Sequence, residues 1–187
     1  MDNNRKEENN FMNLYVIRHG ETNMGKNNII ATETEPLNET GITQALEIGK
    51  EIRKLNINKI YCSPIQRAKD TLKLFKLDKN IPVIIENRLK ERNMGIYENV
   101  PFSELKWDEF WNYNSDRLYP ELETMKNVYE RISGFLNELK SNNSNDNILL
   151  VTHGGISRAI YWYFNEIPEN GNSSNINENC KIYSYKL

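Results

Sequence analysis

The sequence predicts an α/β fold of three layers, a mostly parallel central sheet flanked by helices. Three observations carry that expectation. Short apolar runs at 14–17, 57–62, 82–86 and 148–151 alternate with segments of helical periodicity. The run Ile148-Leu149-Leu150-Val151 is apolar without interruption, as in a central parallel strand covered on both faces. Met125, Val128, Ile132, Phe135, Leu136 and Leu139 form one stripe, the pattern of a helix packed on such a sheet.

At 187 residues the chain suits one domain, read here as 13–187. The polar segment 1–12 holds almost nothing to bury and reads as a disordered tail. After the first strand comes an irregular polar loop, then Pro36-Leu37-Asn38-Glu39-Thr40-Gly41 leads into a helix. Ile42, Ala45, Leu46, Gly49 and Ile52 share one face of it, with Asn38 or Thr40 as its cap. Ser63-Pro64 reads as the next helix start, Ser as N-cap and Pro at the first helical position. That helix carries Ile65, Ala68, Leu72 and Phe75 inward, with Arg67 and Thr71 in its early turns.

The stretch 89–120 settles into no period. It holds Met94, Tyr97, Phe102, Trp107, Phe110, Trp111, Tyr113 and Tyr119. Such an aromatic-rich insertion is either a cap over a site or a small core of its own. Ile156, Ala159, Ile160 and Tyr163 mark a helix after the central strand, and 181–187 reads as a last strand with Ile182 inward. The asparagine-rich tracts 141–147 and 170–179 read as solvated loops.

A formal net charge of −2 gives bulk electrostatics no hold on nucleic acid or membrane, so any anion site must be a local cluster. No apolar run approaches the ~18 residues that cross a bilayer, and the N-terminus lacks the apolar core of a signal peptide. Two cysteines, Cys62 and Cys180, make no disulfide framework. A cytoplasmic location is the expectation.

The chemistry concentrates where strands end. Arg18-His19-Gly20-Glu21-Thr22 follows the first apolar run, and Thr152-His153-Gly154-Gly155 follows the run 148–151. These are the chain's two histidines, and each sits between an apolar strand and a glycine. Ligands of open α/β sheets bind outside the carboxyl ends of the strands. Arg67 follows the intervening strand near a helix N-terminus, so Arg18, His19, Arg67 and His153 can converge on one anion. The Gly154 and Gly155 amides would add donors. A zinc site needs three or four ligands, and no HxH, HExxH or paired-cysteine spacing occurs; no metal or cofactor is expected. Phosphoryl transfer, by contrast, asks for charge stabilisation, in-line positioning and a nucleophile. A carboxylic acid must then give the leaving alkoxide its proton.

Arg18-His19-Gly20-Glu21-Thr22 resembles the signature of the histidine phosphatase superfamily, the phosphoglycerate mutase-like group. Further matches follow in that family's order. They are 36–41 with Gln44-Ala45, Ser63-Pro64 with Arg67-Ala68 and Thr71, Leu89 with Glu91, Gly95 and Glu98, and Thr152-His153-Gly154-Gly155 with Arg158-Ala159. The resemblance implies the phosphoglycerate mutase-like fold and a phosphohistidine on His19. It implies phosphoryl binding by Arg18, Arg67 and His153, with Thr22 and Gly154 in the substrate site. Glu91 would be proton donor and later base. Resemblance alone selects Glu91 over Glu86 and Glu98; Glu98 and Arg158 otherwise read as structural.

The chain also departs from the family. Gly25 stands where many members place Asn, and Ile29 and Thr32 where they often place Arg and Gly. Leu122-Glu123-Thr124 replaces a frequent Gly-Glu-Ser. These changes fall on the substrate side of the pocket. The implied function is a metal-independent phosphomonoesterase acting on a small phosphate ester. The alternatives are a mutase-type phosphotransferase or a non-catalytic phosphate-binding module on the same scaffold. The sequence carries no signal for oligomeric state.

Overall fold

The computed structural model describes residues 12–115, 119–141, 145–172 and 176–187. The expected tail lies outside these residues except for Met12, which is buried and whose amide donates to Leu187 O at 3.1 Å. The chain runs through β1 (Asn13–Arg18), a one-turn α1 (Asn23–Lys26), α2 (Glu39–Ile52), β2 (Lys59–Cys62), α3 (Gln66–Leu74) and β3 (Val83–Ile85). Three short 3-10 turns and α4 (Trp107–Phe110) make up the insertion. Then come α5 (Met125–Ser141), β4 (Asn147–Thr152), α6 (Gly154–Asn165) and β5 (Tyr183–Lys186).

The strands form one five-stranded sheet in the order β3-β2-β4-β1-β5. All pairs are parallel except β1 with β5. The uninterrupted apolar run is thus the middle strand, and Ile148, Leu149, Leu150 and Val151 are all buried. Side chains alternate across the pleat and divide the core in two. Leu14, Val16, Ile148 and Leu150 pack against the stripes of α5 and α6. Ile17, Ile60, Cys62, Leu149 and Val151 pack against Ala45 and Ile52 of α2 and Ala68 and Phe75 behind α3. The result is the three-layer architecture.

Several expectations need correction. In α2 the buried residues are Gly41, Ala45, Gly49 and Ile52, whereas Ile42 is 41% exposed. The helix turns its smallest residues inward because it lies close to neighbouring backbone. A Cβ on Gly41 would sit 2.7 Å from the Glu21 amide nitrogen and nearer still to its carbonyl oxygen. Asn38, of the two proposed caps, accepts from the Gly41 amide at 2.8 Å. Ser63 is not the N-cap of α3, which begins at Gln66 with Ile65 in the cap position. The strand at 82–86 shortens to β3, an edge whose three side chains are exposed. Of the second asparagine-rich tract, Asn177 is buried, so that stretch is not all solvated loop.

The contact at Gly41 yields a stability prediction. Gly41→Ala forces backbone apart at the loop that follows β1, and overpacking of this kind costs roughly 1–3 kcal/mol. Urea denaturation of the variant should show the loss as a lower midpoint with unchanged slope.

Candidate active site

Strand register builds the site. β1 pairs Arg18 with Thr152 of β4, and β2 pairs Cys62 with Val151. His19, Ser63 and His153 therefore leave the sheet side by side. The ladder continues past the strands, His19 N donating to Thr152 O at 2.9 Å and Ser63 N to Val151 O at 3.0 Å. The two imidazole centroids lie 5.1 Å apart with the rings inclined by 58°. Residues distant in sequence meet as the strand pattern requires.

His19 is 5% exposed, and its Nδ1 lies 2.7 Å from the Gly20 carbonyl oxygen. A carbonyl only accepts, so Nδ1 carries the proton and Nε2 keeps its lone pair. Arg67 Nε donates to that Nε2 at 3.1 Å. Burial, then the charges of Arg67 and Arg18, holds the His19 pKa well below the usual histidine value. The imidazole is neutral at physiological pH, the nucleophilic form.

The loop after His19 is clamped. Gly20 N donates to Thr71 Oγ1 at 3.1 Å, and Thr71 Oγ1 donates to Arg67 O at 2.7 Å. Asn179 Nδ2 donates to His19 O at 2.7 Å. Thr22, buried, accepts from Gly25 N and caps α1.

His153 is fully buried and lies against His19 rather than in the cavity wall. Its Nε2 shares a 2.7 Å hydrogen bond with Ser63 Oγ, and its Nδ1 has no hydrogen-bond partner among the described residues. Burial first, and then Arg67, pushes its pKa well below the usual value. Ser63 Oγ also accepts from the Ile65 amide at 3.2 Å, so one hydroxyl serves both the second histidine and the turn that leads into α3.

A cavity of about 290 Å³ opens on this cluster, lined by Arg18, His19, Thr22, Arg67, Glu91 and Gly154 among others. Of the three carboxylates weighed in the sequence, Glu91 lines it while Glu86 and Glu98 do not. Glu91 Oε1 accepts from the Arg92 amide at 2.8 Å and Oε2 from the Gly155 amide at 3.1 Å. The Gly155 amide, expected to serve an anion directly, is thus committed to Glu91. A Cβ at Gly155 would come within 2.5 Å of Oε1, so only glycine admits the carboxylate here.

Arg92 and Trp111 were not legible as site residues, because nothing in their spacing marks them. Arg92 is 5% exposed and donates to Glu123 O and Phe110 O. The Trp111 ring lies between Arg92 and Arg158, each guanidinium 5.2 Å from the ring centroid. Burial lowers both arginines to about 10, opposed chiefly by Glu91. Arg158, read as structural, is accordingly part of the support around Glu91. The insertion answers to both readings: Phe110 packs edge-on with Tyr97 and Tyr119, while Phe102, Trp107 and Trp111 line the cavity. Among the described residues no group of three or more His, Cys, Asp or Glu side chains could hold a metal ion.

The chain matches the family described as Histidine phosphatase superfamily (branch 1) over residues 14–187. It is 30% identical to the uncharacterized phosphatase PhoE of Bacillus subtilis over 146 residues, 78% of this chain and 73% of that protein. Over 151 residues it is 31% identical to the Cronobacter sakazakii protein named "Probable phosphoglycerate mutase GpmB", covering 77% of this chain and 70% of that one. The solved structure of Bacillus stearothermophilus YhfR aligns with a TM-score of 0.81 at 23% identity, over 92% of this chain and 90% of the other. At that identity the likeness speaks for the fold alone.

The buried imidazoles make stability depend on pH. An unfolded histidine takes up a proton near pH ~6.5, whereas His19 and His153 stay neutral in the fold well below that. Below about pH 6.5 the unfolded chain binds more protons, so stability is lost as pH falls. Each imidazole contributes up to ~1.4 kcal/mol per pH unit in that window. His153→Gln, which keeps a partner for Ser63, should reduce the slope by one such share in urea denaturation at about pH 7 and pH 5.5.

Proposed function

The chain belongs to the histidine phosphatase superfamily, and from that premise we propose that it is a phosphomonoesterase of small phosphorylated metabolites, acting through a phosphohistidine on His19. The observation that carries the reading is the neutral His19 with Nε2 unprotonated, flanked by Arg67 and sharing its cavity with Glu91. Arg18 and Arg67 hold the non-bridging phosphoryl oxygens, with the Thr22 hydroxyl and the Gly154 amide beside them. His153 packs against the His19 ring and positions it from behind the cavity wall, which it does not itself line.

The Nε2 lone pair attacks phosphorus as the bond to the alcohol oxygen breaks, and Glu91 passes its proton to the leaving alkoxide. The resulting carboxylate then takes a proton from a water molecule that attacks phosphorus. The P–N bond breaks, phosphate departs, and His19 returns neutral. No step calls on a metal ion or cofactor. We place the protein in the cytoplasm: both cysteines are free and buried, with thiols pushed up to about 12 by burial. No helix among the described residues is long and apolar enough to cross a membrane.

Steady-state and quench experiments test the scheme. His19→Ala should abolish ester turnover. Glu91→Gln should lower kcat on alkyl phosphates by about 10²–10⁴. With p-nitrophenyl phosphate, whose leaving group needs no proton, that variant should accumulate acid-labile phosphoenzyme. Turnover that survives in His19→Ala contradicts the scheme. Net phosphoryl transfer from a bisphosphoglycerate exceeding phosphate release favours the mutase reading instead.

A further inference from the structure

The cavity has two unlike ends. Its inner end is polar, built from Arg18, His19, Arg67 and Glu91. Away from them one side of the lining is apolar, with Ile29, Ile30, Met94, Phe102, Trp107 and Trp111, while Glu21, Lys26, Asn28 and Asn179 contribute polar groups. Three of those rings form a continuous row. Phe102 and Trp107 lie 4.3 Å apart at 39°, and Trp107 meets Trp111 at 5.6 Å and 63°. Trp111 in turn abuts Gly155, the residue whose amide holds Glu91. The row runs from the outer cavity to the proposed proton donor.

The opposite wall is fixed to this row through the backbone. Ile30 N donates to Val100 O and Asn99 N to Ile30 O, both at 2.9 Å, and Phe102 N donates to Asn28 O at 2.8 Å. The apolar slot therefore stands preformed, as small-molecule sites usually do. Its charged neighbours matter as much. Glu21 puts a carboxylate into the cavity, and outside the phosphoryl end Lys26, an exposed side chain, is the cation that lines it. A second anionic group on the substrate would meet hydrocarbon and like charge.

We infer that this cavity selects phosphomonoesters whose alcohol bears an aromatic or similarly flat apolar body, and discriminates against alcohols bearing a carboxylate. The inference rests on the phosphatase reading and adds the identity of the leaving group to it. With the phosphoryl group at His19, the alcohol portion passes Glu91 and lies along Trp111, Trp107 and Phe102. Faces of aromatic rings offer it stacking and exclude water, the role such rings play wherever planar ligands bind.

The test compares kcat/KM for 2-phenylethyl phosphate, ethyl phosphate, 3-phosphoglycerate and phosphoserine, all esters of alkyl alcohols. The 2-phenylethyl ester should exceed each of the others by at least about ten-fold, the scale on which apolar pockets discriminate. Trp107→Ala and, separately, Phe102→Ala should each shrink the phenylethyl-to-ethyl ratio several-fold; two variants guard against one failing to fold. Turnover with 3-phosphoglycerate or phosphoserine equal to or above 2-phenylethyl phosphate overturns the inference and leaves the phosphatase reading standing. No turnover of any of the four, or of p-nitrophenyl phosphate, overturns both.

Discussion

The parallel pairing of β1 with β4 is the constraint on which the site depends. Because Arg18 stands opposite Thr152, the next residue on each strand is a histidine, and the two imidazoles emerge in contact. A slip of one residue would turn every side chain of β1 to the other face. Leu14 and Val16 would leave the core formed with α5 and α6, and His19 would lose its place beside His153. The same burial that fixes the fold thus fixes His19, the proposed nucleophile. The geometry of the candidate site is a by-product of register.

The electrostatics follow from how dry that place is. Arg18, Arg67, Arg92 and Arg158 are all lowered by burial, and in each case Glu91 is the leading opposing charge. One carboxylate among four guanidinium groups leaves positive charge that hydration no longer stabilises. A dianionic phosphoryl group would supply the missing counter-charge. Until it arrives, the aromatic face of Trp111 between Arg92 and Arg158 offsets part of the cost. With burial, the excess also suppresses protonation of both histidines, so the same arginines keep His19 and His153 neutral.

What the sequence made legible was the part governed by local pattern. The uninterrupted run at 148–151 announced the middle strand, and the stripe from Met125 to Leu139 announced α5. The shared setting of His19 and His153 announced that two strand ends converge. Glu91 was found by resemblance, since no periodicity singles out one glutamate in an irregular insertion. The misses have a common physical cause. Ile42 was assigned inward by helical spacing together with Ala45, Gly49 and Ile52, yet close approach of backbones, set by tertiary packing, turned Gly41 inward in its place. Ser63 keeps a bond to the Ile65 amide ahead of α3, but the helix itself starts later, at Gln66, and the same hydroxyl is shared with His153, 90 residues away. Asn177 and Asn179 sit in a tract that composition marks as loop, yet one is buried and the other holds the His19 carbonyl. Long-range partners decide these residues, and a linear pattern does not carry them.

Strand register delivers a neutral His19 whose Nδ1 proton is tied to the Gly20 carbonyl, leaving Nε2 unprotonated beside Arg67, as the proposed attack requires. With two histidines in the chain, 15N NMR of the imidazole nitrogens at neutral pH reads this directly, and His153→Gln assigns the signals. The account predicts that His19 shows a protonated Nδ1 and an unprotonated Nε2 down to well below pH ~6.5. An Nε2-protonated tautomer, or an imidazolium at neutral pH, would contradict it.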